Sequence, residues 1–238
     1  MTSERTKRFF DPDLYVRAGE DVWAKLEKHD PFWLPQLIVA GAILLDISLP
    51  NKVTIGPIWL MPAFEAMALL GLVIASPHPR IRHSILRRRL SIALIALVSI
   101  VNIVSLYLLC RDLLHHDVGT PAEGKRLVLA GFVLWVTNVL LFGLWYWQLD
   151  RGGPLARAVN PDTLPDFLFV QMTDAKHSPP GWTPKLVDYL YLSFTNATAF
   201  SPTDTMPLTP IAKVLMSAQS LTALVTVGLV FARAINIL

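Results

Sequence analysis

Five apolar stretches run through the 238-residue chain, and each is long enough, or nearly long enough, to cross a lipid bilayer. A helix needs roughly 20 residues to cross the hydrocarbon core. Charged residues make up only 16% of the chain, whereas an ordinary soluble domain contains about 25%. The sequence therefore predicts an all-α integral membrane protein with five transmembrane helices, at residues 32–49, 57–76, 90–110, 127–149 and 210–238.

A shorter apolar stretch, residues 185–196, lies between the last two of these spans. Thr183-Pro184 precedes it and Thr209-Pro210 precedes the last span, and both pairs are typical helix starts. A threonine side chain can cap the free amides of the first turn, and proline fits where an amide has no partner. At about 1.5 Å per residue the shorter helix would be only about 20 Å long. It is too short to cross the membrane.

The segment after this short helix, residues 197–207, is polar, contains proline and leads directly into the last span. Backbone outside helices is tolerated at membrane depth only where it is buried in protein or lines a water-filled cavity. If the short helix enters the bilayer, the chain must turn back through such an environment. We therefore expect a re-entrant pore half-helix between the last two transmembrane helices.

The stretch from residue 188 to residue 209 resembles the pore region of the potassium-channel-like family of pore-loop ion channels. The pattern of that family runs roughly D-x-x-Y-F-S-x-x-T-x-T-T-V-G-Y-G-D-x-x-P-x-T. It aligns here without gaps, and the coinciding residues are Asp188, Tyr191, Ser193, Thr198, Asp204, Pro207 and Thr209. The resemblance covers residues 127–238, and it implies a two-helix pore domain that closes as a ring of subunits, which we expect to be a tetramer.

The filter segment departs from the family pattern. Potassium channels coordinate the ion with a ring of backbone carbonyls, and glycines allow the unusual φ angles of that segment. Ser201 and Thr203 stand at the two glycine positions, and Pro202 between them has a fixed φ and no amide hydrogen. We therefore expect no standard potassium filter. Rings of hydroxyl and carboxylate groups select cations loosely, so the candidate ion-path residues are Thr195, Asn196, Thr198, Ala199, Phe200, Ser201, Pro202, Thr203 and Asp204. In the resembled channels the aspartate that matches Asp204 sits behind the filter, which leaves a structural role open for it.

Two acidic residues lie in the first two predicted spans, Glu65 inside the second and Asp46 near the end of the first. Ionisable groups in a bilayer are costly and usually face protein or water. For Glu65 the sequence leaves open an ion pair with Lys213 or Arg233, a position on a polar path, or a structural hydrogen bond. For Asp46 a structural hydrogen bond is the favoured interpretation.

The distribution of lysine and arginine bears on orientation. With the N-terminus in the cytoplasm, fifteen basic residues fall in cytoplasmic segments and four in the opposite loops. Cytoplasmic loops carry the excess of positive charge, and the cluster at 87–89 supports this orientation. The charges therefore place the pore loop on the cytoplasmic side, whereas the resemblance to potassium channels implies the opposite side. We follow the charges.

These observations divide the chain into an amphipathic, interfacial segment (1–31), a three-helix membrane domain (32–126) and a pore-like domain (127–238). They predict an oligomeric pore for small inorganic cations in a bacterial-type inner or plasma membrane. The alternative is a non-conducting scaffold or a small-solute transporter built on a pore-like fold. The sequence contains no nucleophile elbow, P-loop, HExxH motif or dinucleotide fingerprint. We therefore expect that the protein is not an enzyme. We also expect that it holds no metal or cofactor and does not bind nucleic acids.

Overall fold

The computed structural model describes residues 22, 31, 33–50, 60–75, 85–115, 121–174, 176–198 and 204–237. Most of these residues are helical. The helices are α1 (Trp33–Ile47), α2 (Leu60–Ala75), α3 (Ile85–His115), α4 (Pro121–Leu149), α5 (Pro154–Val159), α6 (Leu186–Thr198) and α7 (Pro210–Ile237). Short 3₁₀ turns lie at Asp150–Gly152 and Val170–Met172. The predicted interfacial segment, 1–31, falls outside the described residues except for positions 22 and 31.

Three helices in the described part of the chain are long and apolar enough to cross a membrane, at Arg88–Asp112, Lys125–Gly152 and Pro210–Ala232. They coincide with the third, fourth and fifth predicted spans, so the prediction of helices long and apolar enough to cross a membrane is confirmed for these three. The first two predicted spans contain shorter apolar helices, Trp33–Ile47 and Pro62–Gly71. The 15 residues of α1 measure about 22 Å, which is less than the roughly 30 Å of the hydrocarbon core.

Helix α4 occupies the centre of the packing and contacts α1, α3, α6 and α7. Its buried residues near the C-terminal end, including Leu144 and Tyr146, join residues of α1, α3, α6 and α7 in one apolar core. A second apolar cluster near the N-terminal end of α4 brings Leu127 together with Leu49 and Leu109. The two clusters show that α4 and α3 run antiparallel along each other.

Glycines on α4 allow two other helices to approach closely. A Cβ atom added at Gly131 would lie 2.2 Å from Cγ2 of Val230 on α7. A Cβ atom added at Gly143 would lie 2.6 Å from Cδ2 and 3.1 Å from Cα of Leu190 on α6. Small residues that let backbones approach are characteristic of helix pairs in membranes, where apolar burial alone does not drive association.

The connection from α4 to α6 folds against the start of α7 through a two-stranded antiparallel sheet. Strand β1 (Phe167–Leu168) pairs with β2 (Met206–Pro207), with Phe167 opposite Pro207. The amide of Leu208 also donates to the carbonyl of Asp166 at 2.8 Å. The all-α prediction missed this pair, because each strand is only two residues long and one of them contains proline.

Candidate functional site

Helix α6 is the short helix expected from the sequence, and it begins at Leu186 and ends at Thr198. The backbone amide of Lys185 donates to Oδ2 of Asp188 at 2.7 Å. This carboxylate satisfies an amide that has no partner within the helix, and its charge suits the positive end of the helix dipole. The 13 residues of α6 measure about 20 Å, so the predicted half-length helix between two long helices is present.

Helix α6 runs back along α4, from the end of α4 towards its middle. Three hydrogen bonds follow one another in order: Tyr189 Oη donates to Asp150 Oδ2 (2.7 Å), Ser193 Oγ donates to Val139 O (2.6 Å), and Trp135 Nε1 donates to Ala197 O (3.4 Å). Since α4 contains 29 residues, this register takes α6 about half way along it. The C-terminal end of α6 therefore lies level with the middle of α4.

A buried polar network joins α6 to both long helices, and Gln219 of α7 is at its centre. The Nε2 atom of Gln219 donates to the carbonyl of Ser193 (2.9 Å) and to its Oγ (2.6 Å). Its Oε1 atom accepts from the hydroxyl of Tyr146 (2.5 Å) and from Nδ2 of Asn196 (2.8 Å). Nδ2 of Asn196 also donates to the carbonyl of Met216 at 2.9 Å. Because the Gln219 side chain is fully buried, these bonds fix where α6 sits between α4 and α7.

Asn196, one of the residues predicted for an ion path, forms hydrogen bonds between α6 and α7 within the subunit. Besides its bonds to Gln219 and Met216, its Oδ1 accepts from the hydroxyl of Ser220 at 3.1 Å. The side chain is buried, and its donor and acceptor are both engaged. Asn196 therefore anchors α6 to α7.

A second polar cluster fixes the other end of α6. The carboxylate of Asp150 is fully buried, and its Oδ1 accepts from the amide of Asp166 (2.8 Å). Its Oδ2 accepts from the Tyr189 hydroxyl and lies 3.6 Å from Nε of Arg151. The Arg157 guanidinium lies 5.2 Å from the centre of the Tyr189 ring.

We expect Tyr189→Phe to destabilise the protein, because it deprives a buried carboxylate of a donor. A buried acceptor left without its partner costs about 1–3 kcal/mol. The measurement is the shift in unfolding temperature in detergent. Tyr107→Phe is the matched control, because Tyr107 lies on the exposed face of α3, away from the Asp150 cluster and from the outer face of α6. Equal shifts for the two variants would contradict a supporting role for the Asp150 cluster.

The other predicted ion-path residues that the structure describes lie at two different positions along α4. The Thr195 hydroxyl donates to the carbonyls of Tyr191 and Leu192 (both 3.0 Å), and that of Thr198 donates to the carbonyl of Thr195 (2.8 Å). Both threonines are half-buried in the last turns of α6. Asp204 is exposed and lies beside β2, at the loop end of α4. The residues between them lie outside the described residues; these are Ala199, Phe200, Ser201, Pro202 and Thr203.

Glu65 and Asp46 are both buried, on α2 and α1 respectively. Neither oxygen of either carboxylate has a hydrogen-bond partner in the described part of the chain. The structural hydrogen bond expected for Asp46 is therefore not found there, and Lys213 makes no hydrogen bond to Glu65. The side chain of Arg233, the other predicted partner, lies outside the described residues. No group of three or more potential metal ligands occurs among the residues searched, which are those that the structure describes.

Sequence reasoning missed Gln219 and Tyr146. Gln219 is an amide in the middle of an apolar stretch, and such groups usually face other helices. That signal was present in the sequence and marks Gln219 as a residue with a protein partner. Nothing in the sequence indicated that the partners would be Ser193, Asn196 and Tyr146.

No family model, no curated protein and no solved structure matches the chain. The function is therefore inferred from the geometry of α4, α6 and α7.

Proposed function

We propose that the chain is one subunit of an oligomeric membrane pore that passes small inorganic cations with weak selectivity. Helix α6 is its re-entrant half-helix, and α4 and α7 are the two flanking transmembrane helices. The observation that carries the proposal is the register of α6 along α4, from Asp150 at one end to Trp135 at the middle. A helix that ends half way along a membrane-spanning neighbour has its last turn near the centre of the bilayer.

The outer face of α6 supports assembly with further copies of the chain. Val187, Tyr191 and Phe194 are 60%, 57% and 48% exposed in the single subunit. The chain leaves α6 at membrane depth, where non-helical backbone needs protein or water around it. Cyclic assembly supplies both, because neighbouring subunits cover the outer face of α6 and enclose a central water-filled path. We propose a tetramer, as the resemblance implies.

The direction of α6 favours cations. The carbonyl end of a helix carries about half a negative charge, and α6 presents that end, at Thr198, to the proposed path. The hydroxyl oxygens of Thr195 and Thr198 keep lone pairs for a passing ion. Asp204 adds a carboxylate on the exposed loop side. Such side chains bind cations loosely, so discrimination between them is weak.

We propose that α1 and α2 also cross the membrane and complete five spans of a multi-pass protein in a bacterial-type inner or plasma membrane. Both helices are apolar, and the predicted spans 32–49 and 57–76 extend beyond them at their ends. A span of 18–20 residues measures about 27–30 Å, which matches the hydrocarbon core. The basic residues place the loop between α4 and α6 on the cytoplasmic side.

A non-conducting membrane scaffold is the second candidate. It is favoured by one observation, namely that the polar atoms of Gln219 and Asn196 are all engaged within a single subunit. In a scaffold the C-terminal end of α6 is covered by protein, and no water reaches Thr198.

Current measurements in planar bilayers separate the two candidates. We expect discrete currents whose reversal potential follows the cation gradient. We expect Thr198→Phe to lower the current by about tenfold or more, because an apolar ring at a narrow site drives water out. Thr173→Phe is the control, because Thr173 lies in the exposed loop and its replacement should leave the current unchanged. Absence of current from correctly folded protein favours the scaffold.

The subunit count is an independent prediction. We expect mass measurement of the protein in detergent or nanodiscs to give a closed ring, with four copies as the expected number. A monomer would contradict a pore, because one subunit with a single half-helix cannot enclose a path.

A further inference from the structure

Asp46 and Glu65 form a buried acidic pair outside the proposed ion path. Helices α1 and α2, which carry them, pack against each other. The side chains are 2% and 0% exposed, and all four carboxylate oxygens lack a hydrogen-bond partner within the described residues.

Neither carboxylate forms a hydrogen bond with a charged group on the neighbouring helices that the structure describes. The described ones on α3 are Arg88, Arg89, Arg111 and Asp112, and those on α4 are Lys125 and Arg126. All of them lie in the outer turns of their helices.

Two negative charges in this environment are not stable together. Burial of one ionised carboxylate without a partner is so costly that the group takes up a proton instead. A second carboxylate nearby adds repulsion, so that a pair of this kind retains at least one proton. We propose that Asp46 and Glu65 form a proton-binding site within the α1–α2 pair, which holds at least one proton at neutral pH. This site is separate from the proposed pore and does not depend on it.

A lipid-soluble carbodiimide tests the site, because it reacts with protonated carboxyl groups in apolar surroundings. The carboxyl oxygen bonds to the central carbon of the reagent, and the proton moves to one of its nitrogens. Rearrangement then gives a stable N-acylurea, with the mass of one added reagent molecule. We expect one adduct per chain at neutral pH, on Glu65 or Asp46, and a loss of labelling as the pH is raised.

Two variants and one internal control test which carboxyl group is labelled. In Glu65→Gln the label should move to Asp46, and in the double variant Asp46→Asn, Glu65→Gln labelling of both positions should be lost. Asp150 is the internal control, because its carboxylate is equally buried but accepts two hydrogen bonds. We expect Asp150 to stay unlabelled in all of these proteins.

Infrared spectroscopy decides the outcome if the reagent fails to reach the pair. A protonated carboxyl group absorbs at a higher frequency than a carboxylate. The difference spectrum of the wild-type protein minus the double variant should show a protonated carboxyl band at neutral pH. If it shows only carboxylate bands, the pair is ionised and neutralised by a bound cation or by a basic side chain, and the proposal is overturned. Circular dichroism and size-exclusion profiles establish that the variants are folded.

Discussion

Replacement of Gln219 by leucine is expected to abolish the current and to destabilise the protein. The variant keeps nearly the same volume but removes four hydrogen bonds to Ser193, Tyr146 and Asn196. Hydrogen bonds between helices in membranes contribute about 0.6 kcal/mol each, and a stranded buried polar group costs about 1–3 kcal/mol. We therefore expect the free energy of unfolding to fall by about 2–4 kcal/mol. The end of α6 should also lose its fixed position.

Two measurements check this prediction. Chemical unfolding in mixed micelles gives the change in free energy, and planar-bilayer recording gives the current. Gln171→Leu is the matched control, because Gln171 is exposed in the loop before α6. If Gln219→Leu unfolds like the wild-type protein and conducts normally, the network does not hold α6.

The second large effect is expected at Gly143, where the backbones of α4 and α6 lie close together. A Cβ atom there would lie 3.1 Å from the backbone Cα of Leu190, and a backbone atom cannot rotate away. Alanine stabilises a helix by about 1 kcal/mol relative to glycine. Overpacking, however, destabilises the fold by about 1–3 kcal/mol. Gly143→Ala should therefore lower the free energy of unfolding slightly. Gly143→Val should lower it further, because α6 must then shift away from α4.

The control for this series is Gly41→Ala on α1, where an added Cβ meets no atom within 4 Å. It should leave the unfolding free energy unchanged or raise it slightly. Unfolding curves in detergent measure the stability, and currents report the position of α6. Gly143→Val with full stability and full current would show that the approach of α4 and α6 is not required.

The parts of the fold that follow from local chemistry were predictable. The lengths of the apolar stretches determine α3, α4 and α7, and Thr209-Pro210 correctly marks the start of α7. The amide of Ala212 donates to Oγ1 of Thr209 at 3.3 Å, as expected for a cap. The half-length of α6 was also predictable, since the polar segment 197–207 directly follows the short apolar stretch 185–196.

The contacts between helices were not predictable from one sequence. An apolar stretch indicates a helix that is long and apolar enough to cross a membrane, but it does not fix the rotation of that helix or its partner. For this reason the hydrogen bond between Asn196 and Gln219 could not be predicted from the sequence. The Asp150 cluster depends on residues far apart in sequence, and on a positive φ of 53° at Arg151 that nothing in the sequence indicates.

The depth of α6 in the bilayer is the most direct test of the central claim. Cys110 is the only cysteine in the chain, so one replacement gives a background for single cysteines at Val187 and Thr198. Spin labels at these sites report depth and contact with water-soluble reagents. We predict that the label at 198 lies about 16 Å deeper than that at 187 and still contacts water. Two labels at the same depth in the aqueous phase, or a label at 198 in contact with lipid alone, would contradict a half-helix that leads into a pore.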